Sequence, residues 1–148
     1  MVRRTKESKG TGRIIPIAKP YIGREEEIAV NQVLRSGWIA QGPKVKQLED
    51  VFASYAGAKY ACAVSSCTTA LHLALIVVGV KPGDVVITVS HSFIATANSI
   101  RYCQAEPVFV DIDLDSFNMS VESLKKVIND DCEVRGGQLY YKKVSDII

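Results

Sequence analysis

The sequence predicts an α/β fold built mainly on a parallel sheet, and three observations predict it. From Lys59 onward, strand-like and helix-like stretches alternate, as successive crossover units require. VVITVS and PVFVDID are continuous runs of β-branched and apolar residues, typical of strands buried on both faces. The stretch over residues 68–78 is a helix apolar nearly all round, so it expects cover on more than one side.

Taken in chain order, GREEEIAVNQVLRSG reads as the first helix. Glu25, Glu26 and Glu27 load its electropositive first turn, Val30, Val33 and Leu34 share a face, and Arg35 with Gly37 closes it. After the loop SGWIAQGP, Pro43 opens a second helix. Val45, Leu48, Phe52 and Tyr55 form its apolar stripe and Gly57 its stop. KYACAVSS is expected as a strand, residues 68–78 as a helix ending at Gly79, and KPGD as a turn with Pro82 at its first corner. VVITVS is the next strand, residues 94–102 a helix, and PVFVDID a further strand. Ser120 then caps a helix carrying Leu124, Val127 and Ile128. CEVRGGQLYY alternates about Gly136 and Gly137, a two-residue hairpin signal, and KKVSDII looks like the start of another helix.

Bulk properties narrow the function. The 148 residues suffice for one ordinary domain, and 47% hydrophobic with 23% charged is a soluble globular composition. A formal charge of +2 is too small to imply a nucleic-acid partner, and its excess sits in MVRRTKESKGTGR, read as a solvated tail. That tail has no apolar core of a secretory signal. The longest apolar run, residues 73–78, is far too short for a bilayer, so no membrane partner is expected. The cysteines at 62, 67, 103 and 132 form no C-x-x-C pair and only two histidines exist, which argues against structural zinc. Three of the four lie in or beside apolar segments, as buried free thiols do, and point to the reducing cytoplasm.

The chemical candidates lie where strands end. In AVSSCTTALHLAL, the hydroxyls of Ser65, Ser66, Thr68 and Thr69 crowd the start of a helix. Short polar side chains there serve an anion, phosphate above all, or simply cap the helix; composition alone leaves both open. SHSF, residues 90–93, occupies a second strand end, and ligands of parallel sheets sit beyond such carboxyl ends. Neither G-x-G-x-x-G nor G-x-x-x-x-G-K-[ST] is present, so a dinucleotide or nucleoside-triphosphate loop is poorly supported. His72 reads as a hydrogen-bonded core histidine; His91 sits at a strand end, where a ligand-facing role is plausible but not the favoured reading. Asp111 and Asp113 lack a third metal ligand nearby and read as caps of the following turn. Phe93, by spacing alone, is compatible with the core.

SGWIAQGP, AVSSCTTALHLAL, SHSFIATANSIRY and PVFVDID follow one another in an order and at separations that resemble the sugar-nucleotide aminotransferases of the DegT/DnrJ family. The resemblance runs from about Ile15 to Ile128. It implies the N-terminal part of the large domain of a fold-type I pyridoxal phosphate enzyme, with an incomplete sheet. On that basis residues 1–13 are a flexible basic tail, 14–130 a partial transferase domain, and 131–148 the hairpin and a truncated helix start. The implied reaction moves an amino group, usually from glutamate, to a keto sugar attached to a nucleotide, for polysaccharide and other amino-sugar biosynthesis. Matched by position, Thr68 gives a hydroxyl and Thr69 a backbone N–H to the cofactor phosphate, and Phe93 stacks on the cofactor ring. Cys67 departs from the glycine or alanine commoner in the family. The family's Schiff-base lysine and the aspartate facing the pyridine nitrogen come later than Ile148, and no lysine here matches, so no catalytic residue is assigned and activity of this chain alone is not expected. Two alternatives stand beside the aminotransferase: a dehydratase relative with histidine replacing that lysine, and a non-catalytic remnant. A homodimer is implied, with the apolar Trp38 loop buried. The family's strand order further implies that residues 60–66 have no strand partner in this chain, whereas residues 85–90 and 107–112 pair in parallel.

Overall fold

The computed structural model describes Pro16 and residues 18–143. The basic tail lies outside the described residues, as does the helix expected over KKVSDII apart from Lys142 and Lys143, which form a turn. Chain contacts divide it into two units, Met1–Ala61 and Cys62–Ile148.

The first unit holds α1 (Arg24–Ser36) and α2 (Pro43–Ala56). Glu26 Oε2 turns back to accept the Gly23 N–H at 2.7 Å, satisfying a donor that the helix start would leave free. This bond lowers the Glu26 pKa. Gly37 ends α1 in the left-handed conformation, φ 71°. Pro43 occupies the first turn of α2, and Gly57 closes it at φ 65°. The two helices follow the sequence, but their apolar stripes do not form a core. Val30, Leu34, Leu48, Phe52 and Tyr55 are exposed, Val33 and Val45 are half-buried, and only Ala53 is buried among the described residues of this unit.

The second unit holds α3 (Cys67–Val77), β1 (Val85–Val89), α4 (Ala95–Tyr102), β2 (Glu106–Val110), α5 (Val121–Asp131), β3 (Cys132–Arg135) and β4 (Gln138–Tyr141). β1 and β2 pair in parallel from Val85 opposite Glu106 to Val89 opposite Val110. β3 and β4 form the expected hairpin, Gly136 and Gly137 turning it with φ 57° and 81°. Two positive φ values in succession are the type I′ geometry that suits strand twist. Residues 60–66, read as a strand, join no ladder. A strand exists only through its partner, and the parallel pair β1–β2 is complete without them. The opposite edge of β1 is unpaired, and a groove of about 530 Å³ is lined by residues of β1 and β4.

The core lies at the amino ends of the strands. Ile100 (2% exposed), Cys103 and Ala105 are buried, with Leu75, Val80 and Val86 packed on them. A fully buried side chain of this size contributes about 1.5–3 kcal/mol. Cys103 and Cys132 are the buried thiols, while Cys62 and Cys67 are exposed, so two rather than three cysteines are interior. Cys62 precedes α3 and Cys67 is its first residue, while at the other end of that helix Ile76, Val77 and Val78 are exposed.

Candidate functional site

α3 begins with a tightly bonded polar cluster. Ser66, extended at φ −161°, is its N-cap and accepts the Thr69 N–H at 3.1 Å. The Thr69 hydroxyl lies 3.0 Å from Ser66 Oγ and 3.2 Å from Ser65 Oγ. The Ala70 N–H returns to the Ser66 carbonyl. Among the described residues, the N–H groups of Cys67 and Thr68 and the Thr68 hydroxyl have no hydrogen-bond partner. The helix start therefore keeps unspent donors at the positive end of its dipole. The Thr69 N–H, which the resemblance assigns to a phosphate, is capped by Ser66 here.

The chain path brings the α3 start to the end of the sheet where the loops after β1 and β2 lie. α3 leads through the Lys81–Asp84 turn into the amino end of β1 and packs on α4, which descends from the carboxyl end of β1. Leu75 in the second half of α3 meets the Ile100–Ala105 cluster at the amino end. Eleven helical residues and five strand residues both span about 16 Å, so the first turn of α3 returns to the carboxyl edge. Phe93 sits in the loop after β1 and is 78% exposed. It is not a core residue. Ser92 Oγ lies 2.7 Å from Thr96 Oγ1, and the Thr96 N–H donates to the Phe93 carbonyl at 3.0 Å, fixing the loop to α4.

The other candidates resolve differently. His72 is half-buried and sets its ring edge against Tyr102 at 5.6 Å, a ring contact in place of the expected hydrogen bond. His91 faces Phe117, with ring centroids 6.1 Å apart. Asp113 caps the turn after β2, accepting the Ser116 N–H at 2.8 Å and the Ser116 hydroxyl at 2.9 Å. Those bonds, the backbone one foremost, pull its pKa below the ordinary value. No group of three or more metal-ligating side chains occurs among the described residues. No described helix is long and apolar enough to cross a membrane. Phe117 escaped the sequence reading. Its one signal was an aromatic inside a turn rich in Asp, Ser and Asn, which periodicity does not weigh.

The comparisons with known proteins agree with this architecture. The DegT/DnrJ/EryC1/StrS aminotransferase family matches residues 20–134. Spore coat polysaccharide biosynthesis protein SpsC of Bacillus subtilis is 47% identical over 114 residues, 77% of this chain and 29% of that protein. Among solved structures, the PLP form of Spr1654 from Streptococcus pneumoniae superposes with a TM-score of 0.71 at 39% identity, covering 76% of this chain and 29% of that one. A DegT DnrJ EryC1 StrS aminotransferase from Brucella abortus gives 0.65 at 38% identity over 70% of this chain and 28% of its own. The chain thus spans less than a third of the length of each of these relatives. The solved relatives include PLP and PMP forms, as befits a pyridoxal phosphate-dependent family. With the match covering most of its length, the chain belongs to the DegT/DnrJ/EryC1/StrS aminotransferase family.

Proposed function

We propose that this chain carries the phosphate-holding and ring-stacking part of a pyridoxal phosphate site, in an aminotransferase that acts on a keto sugar nucleotide with glutamate as amino donor. The observation that carries the reading is the open start of α3. Cys67 and Thr68 offer free N–H groups and Thr68 a free hydroxyl, and the chain path argues for the same end of the sheet as the exposed ring of Phe93. This donor set suits a phosphate monoester, which accepts several hydrogen bonds and is favoured by the helix dipole. The flat face of Phe93 suits a pyridine ring.

Bound pyridoxal phosphate supplies the electron sink for moving an amino group between two carbon skeletons. The residues of this chain hold and orient. Thr68, with Thr69 behind it, anchors the phosphate, and Phe93 limits the ring to one plane. Neither group moves a proton, and the lysine chemistry of the family has no counterpart among the matched residues. The polysaccharide role of the SpsC relative supports a sugar substrate, and the exposed stripes of α1 and α2 support a homodimer. The exposed unpaired thiols of Cys62 and Cys67 suit a cytoplasmic protein. Titrating the chain with pyridoxamine 5′-phosphate tests the reading, since that form needs no lysine. Saturable binding weakened by Thr68→Ala supports it, and binding indifferent to Thr68 refutes it.

A further inference from the structure

We infer that His91 and Phe117 clasp the two strand-end loops together and that Phe117 is a positioning residue for Phe93; the inference rests on the reading of Phe93 as the ring-stacking residue. His91 lies in the loop after β1 and Phe117 in the loop after β2, and their rings stand 6.1 Å apart with planes 36° from parallel. Among the described residues, no side-chain hydrogen bond, ion pair or other ring pair joins these two loops.

The backbone of Phe117 shows what this contact demands. Its φ is 58°, in the left-handed region that a bulky aromatic rarely enters. The turn holds it there from several sides. The Phe117 N–H donates to the Asp113 carbonyl at 2.8 Å, and the Asp113 N–H donates to the Asn118 carbonyl at 2.9 Å. Asp113 Oδ1 meanwhile takes both donors of Ser116. Glycine would make this turn without strain. The aromatic at this position instead lays its ring against His91, two residues before Phe93.

On its far side, Phe93 is tied to α4 through the Thr96 N–H, while Ser92 is tied to Ser90 and to Thr96. The His91 ring contact is therefore the anchor that reaches outside the loop and its own helix. With it, Phe93 is held between two fixed points. Without it, the loop keeps only its hydrogen bonds to α4 and within itself.

The test compares wild type with Phe117→Gly, His91→Ala and the double variant. Phe117→Gly suits the turn, so it removes the ring without unfolding the loop. Two readouts apply: hydrogen exchange at Ser92 and Thr96 against β1, and binding of pyridoxamine 5′-phosphate against inorganic phosphate. The clasp predicts that each single variant speeds loop exchange about fivefold or more while β1 is unchanged, with the double variant no faster than the singles. It also predicts weaker pyridoxamine phosphate binding with phosphate binding intact, because only the ring contact depends on Phe93. Unchanged loop exchange, or equal loss of both ligands, overturns the inference. Wild-type chain that binds neither ligand refutes the cofactor reading instead, and loop exchange still decides the clasp.

Discussion

Ser66 Oγ accepts the N–H of Thr69 at 3.1 Å, and the two hydroxyls stand 3.0 Å apart. One residue thus caps the helix while leaving the donors of Cys67 and Thr68 open, so the cap does not use up the donors that the proposed phosphate site needs. The division separates two variants. Ser66→Ala should lower stability by about 1 kcal/mol through the lost cap, read from the urea midpoint, while phosphate binding persists. Thr68→Ala should leave that midpoint nearly unmoved and weaken phosphate-ester binding by about 1–3 kcal/mol, the scale of a charge-assisted hydrogen bond. The reverse pattern would assign the cluster to folding alone.

Trp38, the single tryptophan, reports on its own loop. A Cβ at Gly42 would overlap the indole nitrogen of Trp38, which donates to the Gln41 carbonyl at 3.1 Å. Gly42→Ala should therefore expel the indole and break that bond, changing tryptophan fluorescence and near-ultraviolet dichroism. An unchanged spectrum would show that the loop gives way at no cost.

The Asp113 turn should respond to acid. Hydrogen bonds from the Ser116 N–H and then its hydroxyl hold the carboxyl below its ordinary value of 3.8. A depressed folded pKa stabilises at pH above that ordinary value, and the contribution is lost as pH falls through the depressed one. The Ser116 amide resonance should therefore shift with a midpoint below the ordinary 3.8, and Ser116→Ala, which removes the hydroxyl's share of that effect, should move the midpoint upward. A midpoint insensitive to Ser116 would contradict the assignment.

Local signals carried most of the fold. Glu26, Pro43, Gly57 and Ser120 mark helix ends by chemistry confined to a few residues, and Gly136 with Gly137 dictates its own turn. Local pattern marked residues 60–66 only as strand-like, because pairing depends on a partner that no local pattern names; that they lack one here followed from the family resemblance alone. The stripes on α1 and α2 predicted a buried face, but burial is a property of what lies opposite, and in the first unit that surface is exposed. At the site, the hydroxyl cluster was visible at once. Which N–H Ser66 would cap, and the ring of Phe117 over His91, depend on three-dimensional geometry and left no periodic trace.

The exposed stripes carry a consequence for solution behaviour. Leu48, Phe52, Tyr55 and Val77 in water, together with the open edge of β1, should make the chain bind a hydrophobic dye and self-associate at micromolar concentration. Sedimentation velocity checks this. A compact monomer without dye binding would contradict it.

The central claim is that the start of α3 and the loop carrying Phe93 form one cofactor-binding end. An amide-resolved NMR titration with pyridoxamine 5′-phosphate tests it most directly. The account predicts that shifts concentrate at Cys67, Thr68, Ser92 and Phe93, with inorganic phosphate moving only the first two. Shifts confined to the β3–β4 hairpin or to α1, or none at saturating ligand, would contradict it.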